Sequence, residues 1–302
     1  MKKLIILVSI FLLLLTSCST ETDVSNNEMM ELNIGVMPAV DTAPIFLAKE
    51  RGYFQELNLD LNVEIYTNAQ NRQSALQTNS IDGAMTDLIA VATNVNNGFN
   101  IQATMLTDGM FVLLSQKDQA NEKELSIGMM EISVSNFLVD HWLDDTYIID
   151  KVYINAIPAR LEAVLTNQLD MGLFPEPIAS VGELKGLTKL SYEPIDGFSP
   201  DVMVFTDEAI TEKSKAIEAF HAGYNKAIED INSDASLARQ TIIDNIPNVS
   251  ADLKDVITLP TYHSARLPDD EYLKKIIEWT NSVLDEPLTI NSKDLVDRSF
   301  VE

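Results

Sequence analysis

Acidic side chains recur in loops that follow apolar segments of the sequence, where they could accept hydrogen bonds from a ligand or exchange protons with it. These acids are Asp41, Asp87, Glu131 and Glu176. Only two candidate bases stand near them, Arg72 and Arg160. Asp87 and Glu176 could form an acid/base pair, but lone carboxylates are also common in clefts that only bind. The excess of acids favours a neutral or cationic ligand.

Other residue types that support catalysis are scarce in this chain. The three histidines, His141, His221 and His263, are scattered without metal-ligand spacing, and Cys18 is the single cysteine. No nucleophile elbow, phosphate-binding loop or zinc-protease motif is present. We therefore expect a binding protein with no catalytic residue, metal site or cofactor.

The single cysteine closes an apolar N-terminal run. Met1-Lys2-Lys3 is basic, the residues from Leu4 to Leu15 are apolar except for one serine, and the residues before Cys18 are small. This order is typical of a secretory signal, and the run is too short to span a membrane. Because the last four residues resemble a bacterial lipoprotein signal, we expect a signal peptide over 1–17 and lipidation of Cys18. Residues 18–31 are polar and are expected to form a flexible tether.

The composition is that of an acidic globular protein. Formal net charge is −25 and hydrophobic residues make up 46%. Such a charge repels nucleic acid and anionic lipid headgroups. A secreted chain without a second cysteine has no disulfide, so its fold must depend on its core. We expect a monomer that binds no nucleic acid.

Two segments of the chain occur twice, in the same order. The segment from Leu32 to Met37 returns as 125–130, and RQSALQTNSID at 72–82 returns without gaps as RLEAVLTNQLD at 160–170. This repeat predicts two lobes of like topology. The repeated arginine and aspartate in each half favour a structural role over ligand contact, since one asymmetric ligand seldom needs the same residue from both lobes.

Each half alternates strand patterns with helix patterns, which predicts mostly parallel sheets covered by helices. The predicted strands are 32–37, 62–66, 83–85, 101–106, 126–130, 151–154 and 171–174. The predicted helices are 43–51, 71–77, 87–95, 135–143 and 159–165, with Asp87 and Ser135 as N-caps, and then 211–231, 234–245, 250–257 and 269–284 in a helical tail. Ligands of such sheets bind beyond the carboxyl ends of the strands.

Three stretches carry a family resemblance: APIFLAKERGYFQELNLDLNVE at 43–64, SIDGAMTD at 80–87 and LDMGLFPEPIAS at 169–180. They resemble the substrate-binding proteins of ABC importers, and most closely the NMT1/THI5-like family of nitrate, sulfonate, taurine and thiamine-precursor binders. The resemblance implies an α/β fold of the type II periplasmic-binding-protein kind, with a helical C-terminal tail. Lobe 1 would comprise 32–110 and about 206–302, and lobe 2 about 111–205.

The resemblance also implies a ligand site made from loops of both lobes. The implied residues are Met37, Pro38, Asp41, Thr42, Thr86, Asp87, Asp108, Met110, Glu131, Ser133, Ser135, Phe174 and Glu176. Aromatic side chains at Tyr66, Phe111 and Phe174 could stack on a ring. Anion binders of the family often have a helix start rich in small residues here, whereas this chain has Met129, Met130 and Glu131.

The expected protein is therefore a lipid-anchored receptor on the outer face of the bacterial cytoplasmic membrane, which passes its ligand to an ABC-transporter permease. The favoured ligand is a neutral or cationic nitrogen heterocycle such as a thiamine-precursor pyrimidine. A small anion such as a sulfonate, taurine or nitrate is the alternative. A pyrimidine-synthesising enzyme is a weaker alternative, since the cysteine-rich motif of that enzyme is absent.

Overall fold

The computed structural model describes residues 29–116, 123–143 and 147–301. The expected signal peptide and the lipidation site at Cys18 lie outside these residues. Within the described part of the chain, no helix is both long enough and apolar enough to cross a membrane.

Ten strands form two sheets of five strands each. The strands are β1 (Met30–Val36), β2 (Leu59–Ile65), β3 (Gly83–Asp87), β4 (Ile101–Leu106), β5 (Phe111–Ser115), β6 (Glu124–Met129), β7 (Ile148–Tyr153), β8 (Met171–Pro175), β9 (Thr188–Ser191) and β10 (Asp201–Thr206). The first sheet has the order β2-β1-β3-β10-β4, and the second has the order β7-β6-β8-β5-β9. In both sheets the fourth strand runs antiparallel to its neighbours.

Helices connect and cover these strands. They are α1 (Ala43–Glu50), α2 (Tyr53–Glu56), α3 (Ala69–Gln77), α4 (Leu88–Asn96), α5 (Val134–Trp142), α6 (Ile157–Leu165), α7 (Ile178–Leu184), α8 (Asp207–Glu212), α9 (Ser214–Ser233), α10 (Ser236–Asn245) and α11 (Asp270–Val283). Asp87 caps α4, because its side chain accepts a hydrogen bond from the backbone N–H of Ala90 at 2.9 Å. The cap of α5 is Ser133 rather than the predicted Ser135, since Ser133 keeps an extended backbone and accepts from Ser135 N.

The predicted two-lobed α/β fold is confirmed. The sequence repeat becomes a structural repeat: Gly35 of β1 lies beside Ala84 of β3, and Gly128 of β6 lies beside Gly172 of β8. A Cβ atom on Gly128 would lie 2.6 Å from Leu169 and 2.9 Å from the Cγ atom of Arg160. The absence of a side chain at 128 therefore lets α6 approach the sheet closely.

Three strands were missed from the sequence, namely β5, β9 and β10. The short apolar runs of β5 and β10 lie in the interior of their sheets and so lack the alternation of polar and apolar residues that reveals a half-buried strand. Strand β10 re-enters the first sheet at Asp201, close to the lobe boundary expected near residue 206.

The helical tail was predicted in outline. The predicted helix over 211–231 is divided between α8 and α9 at Lys213, and its apolar face is buried as predicted. The predicted helix over 250–257 is wrong, because only a 3-10 turn at Ala251–Leu253 forms. The backbone of the residues after this turn instead forms hydrogen bonds with side chains of lobe 2. The carbonyl oxygen of Val256 accepts from the Ser180 hydroxyl, and the N–H of Thr258 donates to the Glu176 carboxylate.

Helix α11 joins the two lobes. It packs against α4 of lobe 1, and the Trp279 ring meets the Phe137 ring of α5 edge-on at 5.6 Å between centroids. The indole N–H of Trp279 also donates to Asp140 at 2.9 Å. The tail therefore belongs to both lobes rather than to a third domain.

Candidate functional site

A cleft between the two sheets encloses a cavity of about 620 Å³. Its lining comes from the loop after β1, the helices α3 and α4, the crossover after β4, and the starts of α5 and α6. This is the position beyond the carboxyl ends of the parallel strands that the sequence predicted. The volume suits a small organic solute.

Lobe 1 contributes four charged side chains, each placed by a different element. Asp41 lies in the 3-10 turn after β1, Arg72 lies on α3, and Asp87 ends β3. Asp201 begins β10 and lies directly opposite Asp87 in the antiparallel register. All four line the cavity, so this side of the cleft has three carboxyl groups around one guanidinium group.

The hydrogen bonds of these four charged side chains leave one carboxylate oxygen of Asp41 unpaired among the described residues. Thr107 donates to one carboxylate oxygen of Asp41 at 3.1 Å, while the other oxygen, Oδ1, is buried and has no partner among the described residues. Arg72 donates through Nη2 to the hydroxyl of Thr86 at 2.9 Å. The Asp41 carboxyl group therefore has unused capacity to accept a hydrogen bond.

Burial governs the protonation of the lobe 1 acids. Burial raises the pKa of Asp41 to about 6 and also raises the pKa of Asp87. Hydrogen bonds and the positive charge of Arg72 lower both pKa values, but burial has the larger effect. The pKa of Asp201 rises well above its ordinary value, first by burial and then by repulsion from Asp41 and Asp87. Burial lowers the pKa of Arg72, and these three carboxylates oppose that shift. A bound cation would stabilise the ionised carboxylates.

The lobe 2 side of the cavity differs in charge from the lobe 1 side. Arg160 on α6 is its one charged residue in the lining and is only 2% exposed. Its Nη1 atom donates to the carbonyl oxygen of Ile154 at 3.1 Å, and its guanidinium lies 5.3 Å from the centre of the Phe174 ring. Its Nε atom has no partner in the part of the chain that the structure describes. Burial lowers its pKa to about 10, so it is charged at neutral pH.

The N-terminus of α5 lies on the same side of the cavity. Ser133 and Ser135 line the cavity, and their hydroxyl oxygens are 2.7 Å apart. Ser135 Oγ accepts from Met130 N at 2.9 Å, so the loop before the helix is held by these side chains. A helix N-terminus beside an arginine suits an anionic group.

The structure brings seven of the thirteen residues implied by the family resemblance to the cavity. They are Met37, Asp41, Thr86, Asp87, Met110, Ser133 and Ser135. Pro38, Thr42, Asp108, Glu131, Phe174 and Glu176 are absent from the lining. Of the aromatic candidates for stacking, Phe111 lines the cavity, whereas Tyr66 and Phe174 do not.

Packing and pairing account for several of the absent residues. Thr42 is buried and donates to Ala39 O at 2.7 Å, whereas Glu131 is exposed. Asp108 accepts from the backbone N–H of His263 at 2.7 Å. Phe174 is fully buried under Arg160. The structure contains no interaction that accounts for the position of Pro38.

Glu176 lies outside the cavity because its carboxylate is fully engaged elsewhere. It forms a buried ion pair with Lys189 at 2.7 Å and accepts from the backbone N–H groups of Ser180 at 3.0 Å and Thr258 at 3.1 Å. Lys189 also donates to Val256 O at 2.9 Å. These contacts tie lobe 2 to the segment before α11, so the carboxylate has a structural role here.

Sequence reasoning missed one charged residue of the lining, Asp201, and left the role of two others open. Arg72 and Arg160 were named as candidate bases, but a structural role was favoured for them because they repeat; each lines the cavity from its own lobe. Their repetition was a usable signal, because equivalent helices of two facing lobes point at the same cleft. Asp201 had no signal, since it is placed by β10, which was not predicted.

Comparisons with known proteins agree with this geometry. A model of the NMT1-like family matches residues 25–236. The ligand-binding component of an ABC-type import system from Staphylococcus aureus, solved with zinc bound, has 18% identity and a TM-score of 0.73, with 90% of this chain and 97% of that chain covered. No curated protein matches the chain.

Two further solved structures have the same fold. The periplasmic aliphatic sulphonate binding protein from Escherichia coli has 14% identity and a TM-score of 0.70, with 89% of this chain and 92% of that chain covered. An alkanesulfonate-binding protein from Xanthomonas axonopodis pv. citri, bound to MOPS, has 16% identity and a TM-score of 0.65, with 84% and 91% covered. At such low identity, these likenesses establish the shared fold.

Proposed function

This chain belongs to the NMT1-like family, and from that premise we propose that it is the extracytoplasmic solute-binding protein of an ABC importer. It would capture a small molecule between its two lobes and deliver it to a membrane permease. One observation carries the proposal: the cavity of about 620 Å³ is lined from both lobes, so a solute bound there would hold the lobes together.

Several features support a receptor over an enzyme. One similar structure is the ligand-binding component of an ABC-type import system, and another is a periplasmic aliphatic sulphonate binding protein. Among the described residues, no three histidine, cysteine, aspartate or glutamate side chains converge to hold a metal ion. Buried carboxylates with raised pKa values can exchange protons, but the serines of the cavity have no histidine beside them in its lining.

The expected nitrogen heterocycle has partial support. The acidic side of lobe 1 suits a cationic nitrogen, and Phe111 in the lining could contact a ring. No feature of the cavity selects a thiamine-precursor pyrimidine over other nitrogen compounds. A small anion is supported separately by Arg160 and the N-terminus of α5, and two similar structures are sulphonate-binding proteins.

The proposal is tested by identifying what the protein carries. The protein is purified without denaturation from its own cells and then unfolded, and the released solutes are identified by mass spectrometry. Cells that lack the protein should lose uptake of that solute in isotope-labelled form, and the purified protein should bind it without turnover. Unchanged uptake, or conversion of the solute by the purified protein, would refute the proposed function.

A further inference from the structure

The guanidinium of Arg160 is a buried charge that lacks a counter-ion. Its side chain is only 2% exposed, and none of the ion pairs among the described residues includes it. Its protein partners are the carbonyl oxygen of Ile154 and the face of the Phe174 ring. Buried charges in proteins are normally paired. The described residues supply no anion for Arg160, and Arg160 lines the cavity, where an anionic group of a bound solute could pair with it.

The N-terminus of α5 supports an anion in the same place. This helix has nine residues, and the hydroxyls of Ser133 and Ser135 lie in the lining beside its first turn. The N–H groups of Ser135 and Asn136 already donate to Ser133, so what this helix start offers an anion is the partial positive charge of its N-terminus together with the two hydroxyls. Arg160 and this helix start therefore form one anion-binding side, which we call the lobe 2 pole.

The opposite wall has the opposite charge. Asp41, Asp87 and Asp201 line it with Arg72 as the single cation, so this lobe 1 pole is net negative when its carboxyl groups are ionised. Asp41 is 5% exposed, and its Oδ1 atom has no hydrogen-bond partner. A donor in the cavity is needed to satisfy that oxygen.

We propose that the ligand is a zwitterion, with an oxyanion group held at the lobe 2 pole and a protonated nitrogen held at the lobe 1 pole. The inference rests on the proposed function and specifies its ligand class. Six buried side-chain atoms of the described residues have no hydrogen-bond partner, and two of them, Arg160 Nε and Asp41 Oδ1, belong to residues that line the cavity. These two residues lie on opposite lobes, so one molecule that satisfies both atoms must bridge the cleft. Binding would then depend on both lobes at once.

Ligands with one charge fit the cleft less well. A simple anion would satisfy Arg160 but leave Asp41 Oδ1 without a donor. A simple cation would leave Arg160 as an unpaired buried charge. A metal ion is disfavoured for the lobe 1 pole, because no three suitable side chains of the described residues are grouped closely enough to bind one.

The test uses three probes of one chain length: 3-aminopropane-1-sulfonate, propane-1-sulfonate and propan-1-amine. Calorimetric titration of the wild-type protein at pH 7.5 measures Kd for each. We expect the zwitterion to bind at least tenfold more tightly than either singly charged probe, because a charge-assisted hydrogen bond changes Kd by about 10- to 150-fold.

Variants assign the two poles. Arg160→Gln should reduce affinity for the zwitterion by about 10- to 150-fold and leave affinity for propan-1-amine unchanged. Asp41→Asn should weaken binding of the zwitterion and leave that of propane-1-sulfonate unchanged. Arg51→Gln is the matched control, since Arg51 is 49% exposed and pairs with Asp230 away from the cavity, and it should change none of the three affinities.

The wild-type titrations remain decisive if a variant does not fold. Equal affinity for the zwitterion and for either singly charged probe would overturn the inference, and so would failure of all three to bind. These results leave the proposed function intact, because that is decided by uptake in cells. A copurified solute that carries only one of the two charges would likewise overturn the inference alone.

Discussion

Glu176 shows how a buried carboxylate can be held for structure rather than for binding. Its side chain is 0% exposed and its partner Lys189 is 7% exposed, so both charges are removed from water. Five backbone or hydroxyl groups complete the network, and three of them come from the segment after the 3-10 turn at Ala251–Leu253. Such a pair is costly to break, because the remaining charge stays buried alone.

We predict that Glu176→Gln destabilises the ligand-free protein without weakening ligand binding. Removing one partner of a buried ion pair costs about 3–5 kcal/mol in the free energy of unfolding. Glu183→Gln is the control, since Glu183 pairs with the same Lys189 at 2.8 Å but is 39% exposed and should cost less than about 1 kcal/mol. Chemical denaturation and calorimetric titration measure the two effects. An unchanged stability together with a raised Kd would show instead that Glu176 takes part in ligand binding.

Asp41 is predicted to make stability and binding depend on pH. Its pKa in the fold, about 6, is above the ordinary value of 3.8, so the fold binds its proton more tightly than the unfolded chain does. Stability is therefore lost as pH rises from about 4 through 6, by roughly 1–3 kcal/mol. Asp108 and Asp201 also disfavour its ionisation, and Arg72 opposes them.

The Asp41→Asn variant isolates this effect, because asparagine stays neutral at every pH. The variant should be more stable than the wild type at pH 7.5 and should lose that advantage at pH 4, as measured by thermal unfolding. Asp252→Asn changes an exposed residue outside the cavity and should show neither effect. A constant difference between wild type and Asp41→Asn across this range would contradict the assigned pKa. Binding of a cationic group should weaken below pH 6.

At the scale of elements, the repeated aspartates hold the strands that carry the site. Asp82 precedes β3 and accepts from the backbone N–H of Asn33 in β1 at 2.7 Å. Asp170 precedes β8 and accepts from the backbone N–H of Ser126 in β6 at 2.8 Å. The two lobes thus use the same side chain to join the same pair of strands, which confirms a structural role for this part of the repeat.

We expect Asp82→Asn and Asp170→Asn to lower stability and to leave Kd unchanged. The cost should be about 1–2 kcal/mol for Asp82, which also pairs with Lys213 at 2.8 Å, and about 1 kcal/mol for Asp170, whose contacts are exposed. Urea unfolding of both variants beside the wild type measures the difference. A larger cost at 170 than at 82, or a changed Kd, would show that the two lobes do not share this role.

At the scale of the whole molecule, two crossover segments join the lobes, and the side chain of Arg266 contacts both segments. The first crossover spans 107–110 and the second spans 192–200. Arg266 donates to Gly197 O of the second at 3.2 Å and lies 3.5 Å from the carboxylate of Asp108 in the first. We expect relative motion of the lobes to pivot near these crossovers, where Arg266 contacts both.

Ligand binding should close the cleft and stabilise the protein. Binding to the folded state alone stabilises it by about 2.7 kcal/mol at a hundredfold excess of ligand over Kd, so Tm should rise. Small-angle scattering with the solute recovered from the native protein should show a smaller radius of gyration. Wild-type protein without the solute serves as the unliganded control. An unchanged radius at saturation would contradict a closing cleft.

The expected lipid anchor is tested at the level of the cell. Cys18→Ser should move the protein from the membrane fraction to the soluble fraction, because two or more acyl chains are needed for stable attachment and none would be added. Ser17→Ala, which keeps the cysteine and a small residue before it, should stay with the membrane. Wild-type protein found soluble, with an unmodified Cys18 in mass spectrometry, would refute the anchor.

The sequence by itself determined the architecture. The repeat of 72–82 in 160–170 indicated two like lobes, and the alternation of strand and helix patterns indicated parallel sheets with a cleft at their carboxyl ends. These features depend on neighbouring residues, which share a strand or a helix turn. Local patterns are sufficient for them because hydrophobic periodicity follows the geometry of each element.

Only the tertiary structure decided which charged side chains face the cavity. Glu176 seemed suited to a ligand, but it meets Lys189 and the backbone of Thr258, a residue far along the chain. Asp201 faces the cleft because β10 pairs with β3, a contact between distant segments. The charge of a buried group is balanced by whatever the fold brings near it, so the cleft's two opposite poles arise from contacts that no local pattern encodes.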